Sequence, residues 1–150
     1  MRRSDKELPA AEAMEFLAEA RDGVLSMVDP SGRPYAVPVN HAVVDGQIVI
    51  HCAPVGTKID ILQANPDVCY TAYRTIMIDP DSLNTLYVSA IAFGAAELVE
   101  DAATKRHLLE SMTEHLAPGA AFTCSDDEVA RTGVIRIRVD RITGKANRSR

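Results

Sequence analysis

Apolar residues follow two rhythms along this chain. From Pro9 to Arg21, PAAEAMEFLAEAR, the residues Ala13, Phe16, Leu17 and Ala20 recur at three- and four-residue spacing, with a proline at the first helical position; this predicts an amphipathic helix. Gly23 breaks it. GVLSMVD then reads as a strand closed by the turn Asp29-Pro30-Ser31-Gly32. PYAVPVNHAVV follows as a second strand, and Asp45-Gly46, a two-residue type I′ hairpin signal, joins it to a third, QIVIHC. Pro38 lies inside the second strand, where it cannot donate to a ladder. It implies an edge, a bulge, or backbone left open to a planar ligand.

Past residue 53 the rhythm changes. A helix is expected over residues 57 to 64, stopped by Asn65-Pro66. DVCYTAYRTIMI, rich in β-branched and aromatic residues, and LYVSAIAFGAAELVE read as long strands separated by the turn-forming DPDSLNT, with Gly94 a bulge or close-approach point. Asp101 caps a second strong helix, DAATKRHLLESMTEHL, whose Leu108, Leu109, Met112 and Leu116 share a face. Ser125-Asp126-Asp127-Glu128 opens a short capped helix. VIRIRVDRI closes the pattern in alternation, with Ile135, Ile137 and Val139 inward and Arg136, Arg138 and Asp140 outward. About six strands, joined mostly by hairpins with helices as inserts, favour a mainly β, antiparallel α+β barrel over a doubly wound sheet.

Composition narrows the setting. At 150 residues and 47% apolar, the chain has material for one sizeable core, and a single domain over 1–150 is expected. No apolar run approaches the roughly 18 residues of a membrane span, and the charged first 25 residues do not resemble a signal peptide, so a cytoplasmic protein without a membrane partner is expected. Cys52, Cys69 and Cys124 match neither a metal pattern nor a disulfide framework. The net charge of −5 is uneven: residues 131–150 carry 7 Lys/Arg against Asp140 alone, while the remainder carries 9 against 20 acids. Such a basic tail either meets the protein's own acidic surface or delivers charge to an anion; with no nucleic-acid-binding motif in view, a nucleic-acid partner is not expected.

The densest chemistry lies in Gly46 to Pro66, GQIVIHCAPVGTKIDILQANP. A strand, a Pro/Gly loop and a helix start leave unpaired N–H groups and a partial positive charge at one point, where Lys58 would add a full charge. Thr57 reads as the N-cap, with Asp60 as the acidic partner of a capping box. These residues suit a phosphate cradle and equally suit an ordinary well-started helix. His51 ends the strand beside the cradle and His41 ends its partner strand; each is either a surface histidine or a ligand contact, while His107 and His115 fall on a helix's polar side. No G-x-S-x-G, H-E-x-x-H or G-x-G-x-x-G motif occurs. Chemistry would therefore come from a cofactor.

The segments MRRSDKEL, GRPYAVPVN, IHCAPVGTKIDILQANPDVC, YVSAIAFGAAELVED and ITGK, in that order, resemble the FMN-binding split-barrel superfamily of pyridoxamine 5′-phosphate oxidase, in its nitroimidazole-resistance (NimA-type) branch. The resemblance implies a six-stranded antiparallel split β-barrel with flanking helices, and a homodimer with two FMN sites at the subunit interface. It assigns Lys58 and Thr57 to the FMN phosphate, Pro38, Val39 and Asn40 to the strand along the flavin ring, His51 and Cys52 to the ribityl chain or ring, and Ser89 to a polar contact. His51 takes the position of a histidine implicated near the flavin and is the candidate catalytic residue. The implied activity passes electrons from a reduced nicotinamide to a small acceptor of nitro-aromatic or quinone type. Thr57 replaces an arginine of the oxidases, and ITGKANRSR lacks their arginine-rich substrate motif, which argues against vitamin B6 oxidation. Relatives bind deazaflavin F420 or haem, so these cofactors, or a non-catalytic flavin-binding module, are the alternatives.

Overall fold

The computed structural model describes residues 3–148; Met1, Arg2, Ser149 and Arg150, at the ends of the MRRSDKEL segment and of the basic stretch, lie outside the described residues. A 3-10 turn at Ser4–Lys6 leads into β1 (Glu7–Leu8) and α1 (Ala10–Glu19). Strands β2 (Asp22–Val28), β3 (Pro34–Asn40), β4 (Ala42–Val44) and β5 (Gln47–Cys52) precede α2 (Thr57–Ala64). Then come the long β6 (Asp67–Ile78) and β7 (Thr85–Leu98), α3 (Ala102–Leu116), α4 (Asp126–Arg131) and β8 (Gly133–Asn147). No helix among the described residues is long and apolar enough to cross a membrane.

The strands form one sheet in the order β3-β2-β6-β7-β8-β5-β4, with β1 on β8, and their pairings are antiparallel. The two ends of that order, β3 and β4, are joined by His41 alone. A sheet whose outermost strands are one residue apart in the chain must curl upon itself. The result is the mainly β, split-barrel α+β fold with flanking helices. Among the described residues its strand count reaches eight because the expected second strand is divided at His41 and Glu7–Leu8 adds a short edge.

Two apolar layers follow. Inside the curl, Phe16 and Leu17 of α1 meet Leu25, Ile48, Ile50, Tyr70, Ala90, Ile135 and Ile137, and α2 adds Ile59, Ile61 and Leu62. Outside it, Leu108, Leu109 and Met112 of α3 and Val129 of α4 cover Val49 and Val134. On the face of β5 that carries Gln47, Val49 and His51, the helices therefore cover Val49, while Gln47 is half-buried and His51, at the strand's end, stays exposed. Pro9 acts as the N-cap of α1 with an extended backbone, so the helix begins one residue later than the sequence suggests. Asp101 caps α3 by accepting the Thr104 N–H at 2.8 Å, and Ser125 and Glu128 form a full capping box on α4.

Most of the basic stretch, residues 133–147, forms β8, the longest strand among the described residues. Its cations meet the chain's own acids and rings: Arg136 pairs with Glu97, Arg148 with Glu12 at 3.0 Å, and the Arg141 guanidinium lies 4.1 Å over the Phe93 ring. Inward alternation through Ile135, Ile137 and Val139 is broken at Asp140, the extra residue of a bulge, and resumes one step out of phase. Gly94 faces this bulge.

Candidate functional site

The split in the barrel begins where β4 ends. β4 and β5 pair as Ala42↔Val49, Val43↔Ile48 and Val44↔Gln47. Continued past His41, that register would set Asn40 opposite His51 and Val39 opposite Cys52. Instead the chain turns, and β3 pairs with β2 as Pro38↔Val24, Val39↔Gly23 and Asn40↔Asp22. On its other side the end of β5 pairs with β8, His51 with Val134 and Cys52 with Gly133. Two strand edges thus diverge from one corner, and the backbone groups lining the gap are available to a ligand. Pro38, with no N–H to offer, sits on an edge strand as its chemistry requires.

His41 pins that corner. It is fully buried: its Nε2–H donates to the Leu17 carbonyl at 2.8 Å, and the Tyr70 hydroxyl donates to its Nδ1 at 2.8 Å. Burial lowers the His41 pKa, only partly opposed by the Leu17 carbonyl, and burial raises that of Tyr70. The surface-histidine expectation therefore fails for His41. A signal was present, because Tyr35, Val37, Val39 and Val43 alternate onto the inner core and His41 shares their parity. Beside it Asn40 Nδ2 donates to Asp22 Oδ1 at 2.6 Å, tying the end of β3 to the start of β2.

The helix start is more open than the sequence suggests. The N-cap of α2 is Gly56 at φ 129° and ψ 172°, backbone that favours glycine, and no side chain caps the helix. Thr57 is its first helical residue and not the cap, and Asp60 forms no capping box. The Gly56 carbonyl accepts from Ile59 and Asp60 at 2.8 and 3.1 Å. The preceding N–H groups, at Gly56, Thr57 and Lys58, have no acceptor within the helix. Half-buried Lys58 lies near Cys52: burial raises the Cys52 pKa, and the Lys58 ammonium pulls against that rise. Donor-only backbone, a positive helix end and a lysine are what a phosphate requires.

His51 and Cys52, as neighbours on a strand, leave it on opposite faces. Cys52 packs against the barrel interior, whereas His51 lines a cavity beneath α3. The chain thus gathers Pro38–Asn40, His51, Cys52, Thr57 and Lys58 around one corner of the barrel. Ser89 is not among them. It pairs with Tyr73 and Lys145, and its hydroxyl donates to the Lys145 carbonyl at 3.3 Å. Eleven residues of β8 separate Lys145 from Val134, the partner of His51, on the order of 30 Å of strand. Among the described residues, no three His, Cys, Asp or Glu side chains gather to hold a metal ion.

The sequence matches the family described as pyridoxamine 5′-phosphate oxidase over residues 9–146. The chain belongs to that family. This family member is similar in structure to a candidate 5-nitroimidazole antibiotic resistance protein of Bacteroides thetaiotaomicron, at 29% identity, TM-score 0.84, covering 93% of this chain and 85% of that one. Its fold is shared by the flavocytochrome Anf3 of Azotobacter vinelandii, at 19% identity, TM-score 0.83, with 99% and 72% of the two chains covered. The same holds for an FAD- and haem-binding protein of Mycobacterium smegmatis, at 19% identity, TM-score 0.82, covering 96% and 74%. No curated protein matches this pyridoxamine 5′-phosphate oxidase family member in sequence.

Proposed function

We propose that the chain is one FMN-binding split-barrel domain, working as a homodimeric oxidoreductase that passes electrons from a reduced nicotinamide to a small acceptor of nitro-aromatic or quinone type. The observation that carries this reading is the open corner: two unpaired strand edges meet beside an uncapped helix start with Lys58. Lys58 and the N–H groups of Gly56 to Lys58 would hold the phosphate, and the backbone of Pro38, Val39 and Asn40 would lie along the ring. Cys52 would close the inner side, and His51 would orient the acceptor or give a proton to its reduced form. The flavin supplies the hydride and electron chemistry when bound.

The homodimer is supported by the placement of Ser89. On its face of the sheet Tyr73 and Ile78, the partners of Ser89 and Thr85, are exposed along β6, and Ile76, Met77 and Leu83 are exposed at the same end of the β6–β7 hairpin. Apolar surface of that extent marks an interaction site. A second copy seated there would cover it and bring its own open corner to Ser89, which a single chain cannot do.

Protein incubated with excess FMN and desalted should keep a flavin absorbance band near one per chain, and should oxidise a reduced nicotinamide when a nitro-aromatic or quinone is added. Absence of the band would overturn the FMN assignment, and the same assay repeated with F420, haem or FAD would identify the alternative. Lys58→Ala should weaken FMN roughly 10- to 100-fold, the loss of one charge-assisted hydrogen bond, with the fold intact. Unchanged affinity in a fluorescence titration would move the phosphate elsewhere. His51→Gln should leave FMN bound and the dimer intact while acceptor reduction falls by about 10²-fold, as for loss of a proton donor. Unaltered turnover would remove His51 from the reaction.

A further inference from the structure

The face of β5 that bears His51 meets an open cleft of about 320 Å³, lined by the C-terminal half of α3 and the loop between α3 and α4. Its walls are Leu109, Met112, Leu116 and Phe122, with His51 at one side. Thr113 and Thr132 also line it, but their hydroxyl protons are already given to the Leu109 and Glu128 carbonyls at 2.9 and 2.8 Å. Among the described residues, no lysine, arginine, aspartate or glutamate lines the space. The His51 imidazole has no hydrogen-bond or ion-pair partner among the described residues. The cavity thus offers apolar surface, the free Cys124 and one unengaged imidazole.

The space is held open by its surroundings. The Arg106 guanidinium donates to the Cys124 carbonyl at 3.3 Å and to Asp126 at 2.6 Å, and lies 5.5 Å from the centre of the Phe122 ring. Three contacts from one side chain fasten the outer wall to α3, so the loop cannot fall inward without breaking them. A largely apolar cleft of this kind offers few hydrogen-bond partners to the water that fills it. Its volume lies at the lower end of the range for small-molecule sites, about 300–1,000 Å³.

We propose that this cavity binds a flat, uncharged molecule of one or two rings, packed between Leu109, Met112, Leu116 and Phe122 and hydrogen-bonded at one polar atom to the His51 imidazole. A charged ligand would lose its hydration with no counter-charge in return, so charge is selected against. The inference deepens the preceding reading: an acceptor held here is held by His51, and it is a neutral aromatic rather than a phosphorylated one. Binding itself requires no flavin.

The probe is 1-naphthol, two rings with one hydroxyl, titrated into flavin-free protein at pH 7.5, with 1-naphthalenesulfonate as its charged counterpart. 1-Naphthol should saturate one site and move the His51 ring signals in an NMR spectrum, and the sulfonate should bind at least roughly tenfold more weakly. Leu116→Trp, at a half-buried position, fills the space and should weaken 1-naphthol roughly tenfold or more while FMN affinity stays within about twofold. Phe122→Ala, which widens the space without adding bulk, serves if Leu116→Trp unfolds and should weaken the probe similarly. Equal affinity for both probes, binding that leaves the His51 signals unmoved, or undiminished binding to the folded variant would overturn the proposal, as would no binding at all. Failure of 1-naphthol with FMN still bound sinks only the cavity; failure of FMN with 1-naphthol still bound sinks only the flavin reading.

Discussion

Gly94→Ala should destabilise the protein by about 3–5 kcal/mol, lowering the midpoint of thermal unfolding by roughly 10 °C or more. A Cβ at Gly94 would stand 1.8 Å from the Arg138 carbonyl oxygen and 3.2 Å from the Val139 Cα, and neither obstacle is a side chain that can swing aside. The backbone of β8 approaches this closely because Asp140 is an extra residue there: Phe93 pairs with Arg141 but Gly94 with Val139. The bulge lets the inner face run Ile135, Ile137 and Val139, then Ile142, Gly144 and Ala146. Relief of the clash would straighten the bulge and reverse one half of that strand. A midpoint equal to that of the unaltered protein, measured by circular dichroism, would show that the close approach does not exist in solution.

The second large effect is at His41. His41→Ala should cost about 2–4 kcal/mol, since it opens a cavity in the core and strands the Tyr70 hydroxyl and the Leu17 carbonyl. The same burial predicts a pH dependence. His41 is held below its ordinary pKa of 6.5, chiefly by burial. Below about pH 6.5 the unfolded chain binds a proton that the folded chain refuses, so the contribution of neutral His41 is complete above that pH and is lost as the pH falls toward the lowered value. Denaturant midpoints should decline from about pH 6.5 to 5, and the decline should be shallower in His41→Gln, which keeps a buried hydrogen-bonding side chain. Parallel declines in the two proteins would show that His41 is protonated in the fold as readily as out of it. Because His41 joins β3 to β4, its loss should also loosen the Asn40 corner and weaken flavin in parallel with stability.

Much of this fold was legible along the chain because local chemistry and tertiary structure agree there. The three- and four-residue spacing of Ala13, Phe16, Leu17 and Ala20, the Asp45-Gly46 turn, with both residues at positive φ, the Asp101 cap and the Ser125-Glu128 capping box each need only a few neighbours to work. The closeness of Lys58 to the β5 end was likewise readable, since strand, loop and helix start are consecutive.

What the chain alone did not reveal depends on residues far apart in sequence. His41 looked like a strand end, and only Leu17 and Tyr70, brought together by the curl, make it a buried pin. His51 read as either a surface histidine or a ligand contact until α3, some fifty residues later, covered Val49 beside it and gave exposed His51 a cavity to line. Thr57 had the residue type of a cap, but the backbone of Gly56 took that place and left the first N–H groups of the helix free. The arginines of β8 looked like a tail because alternation says which side a residue faces and nothing of which strands flank it. Periodicity along one chain therefore determined the elements and their inward faces, whereas the open corner arose only when one residue had to join the two ends of an eight-stranded sheet, a closure constraint that no local segment carries.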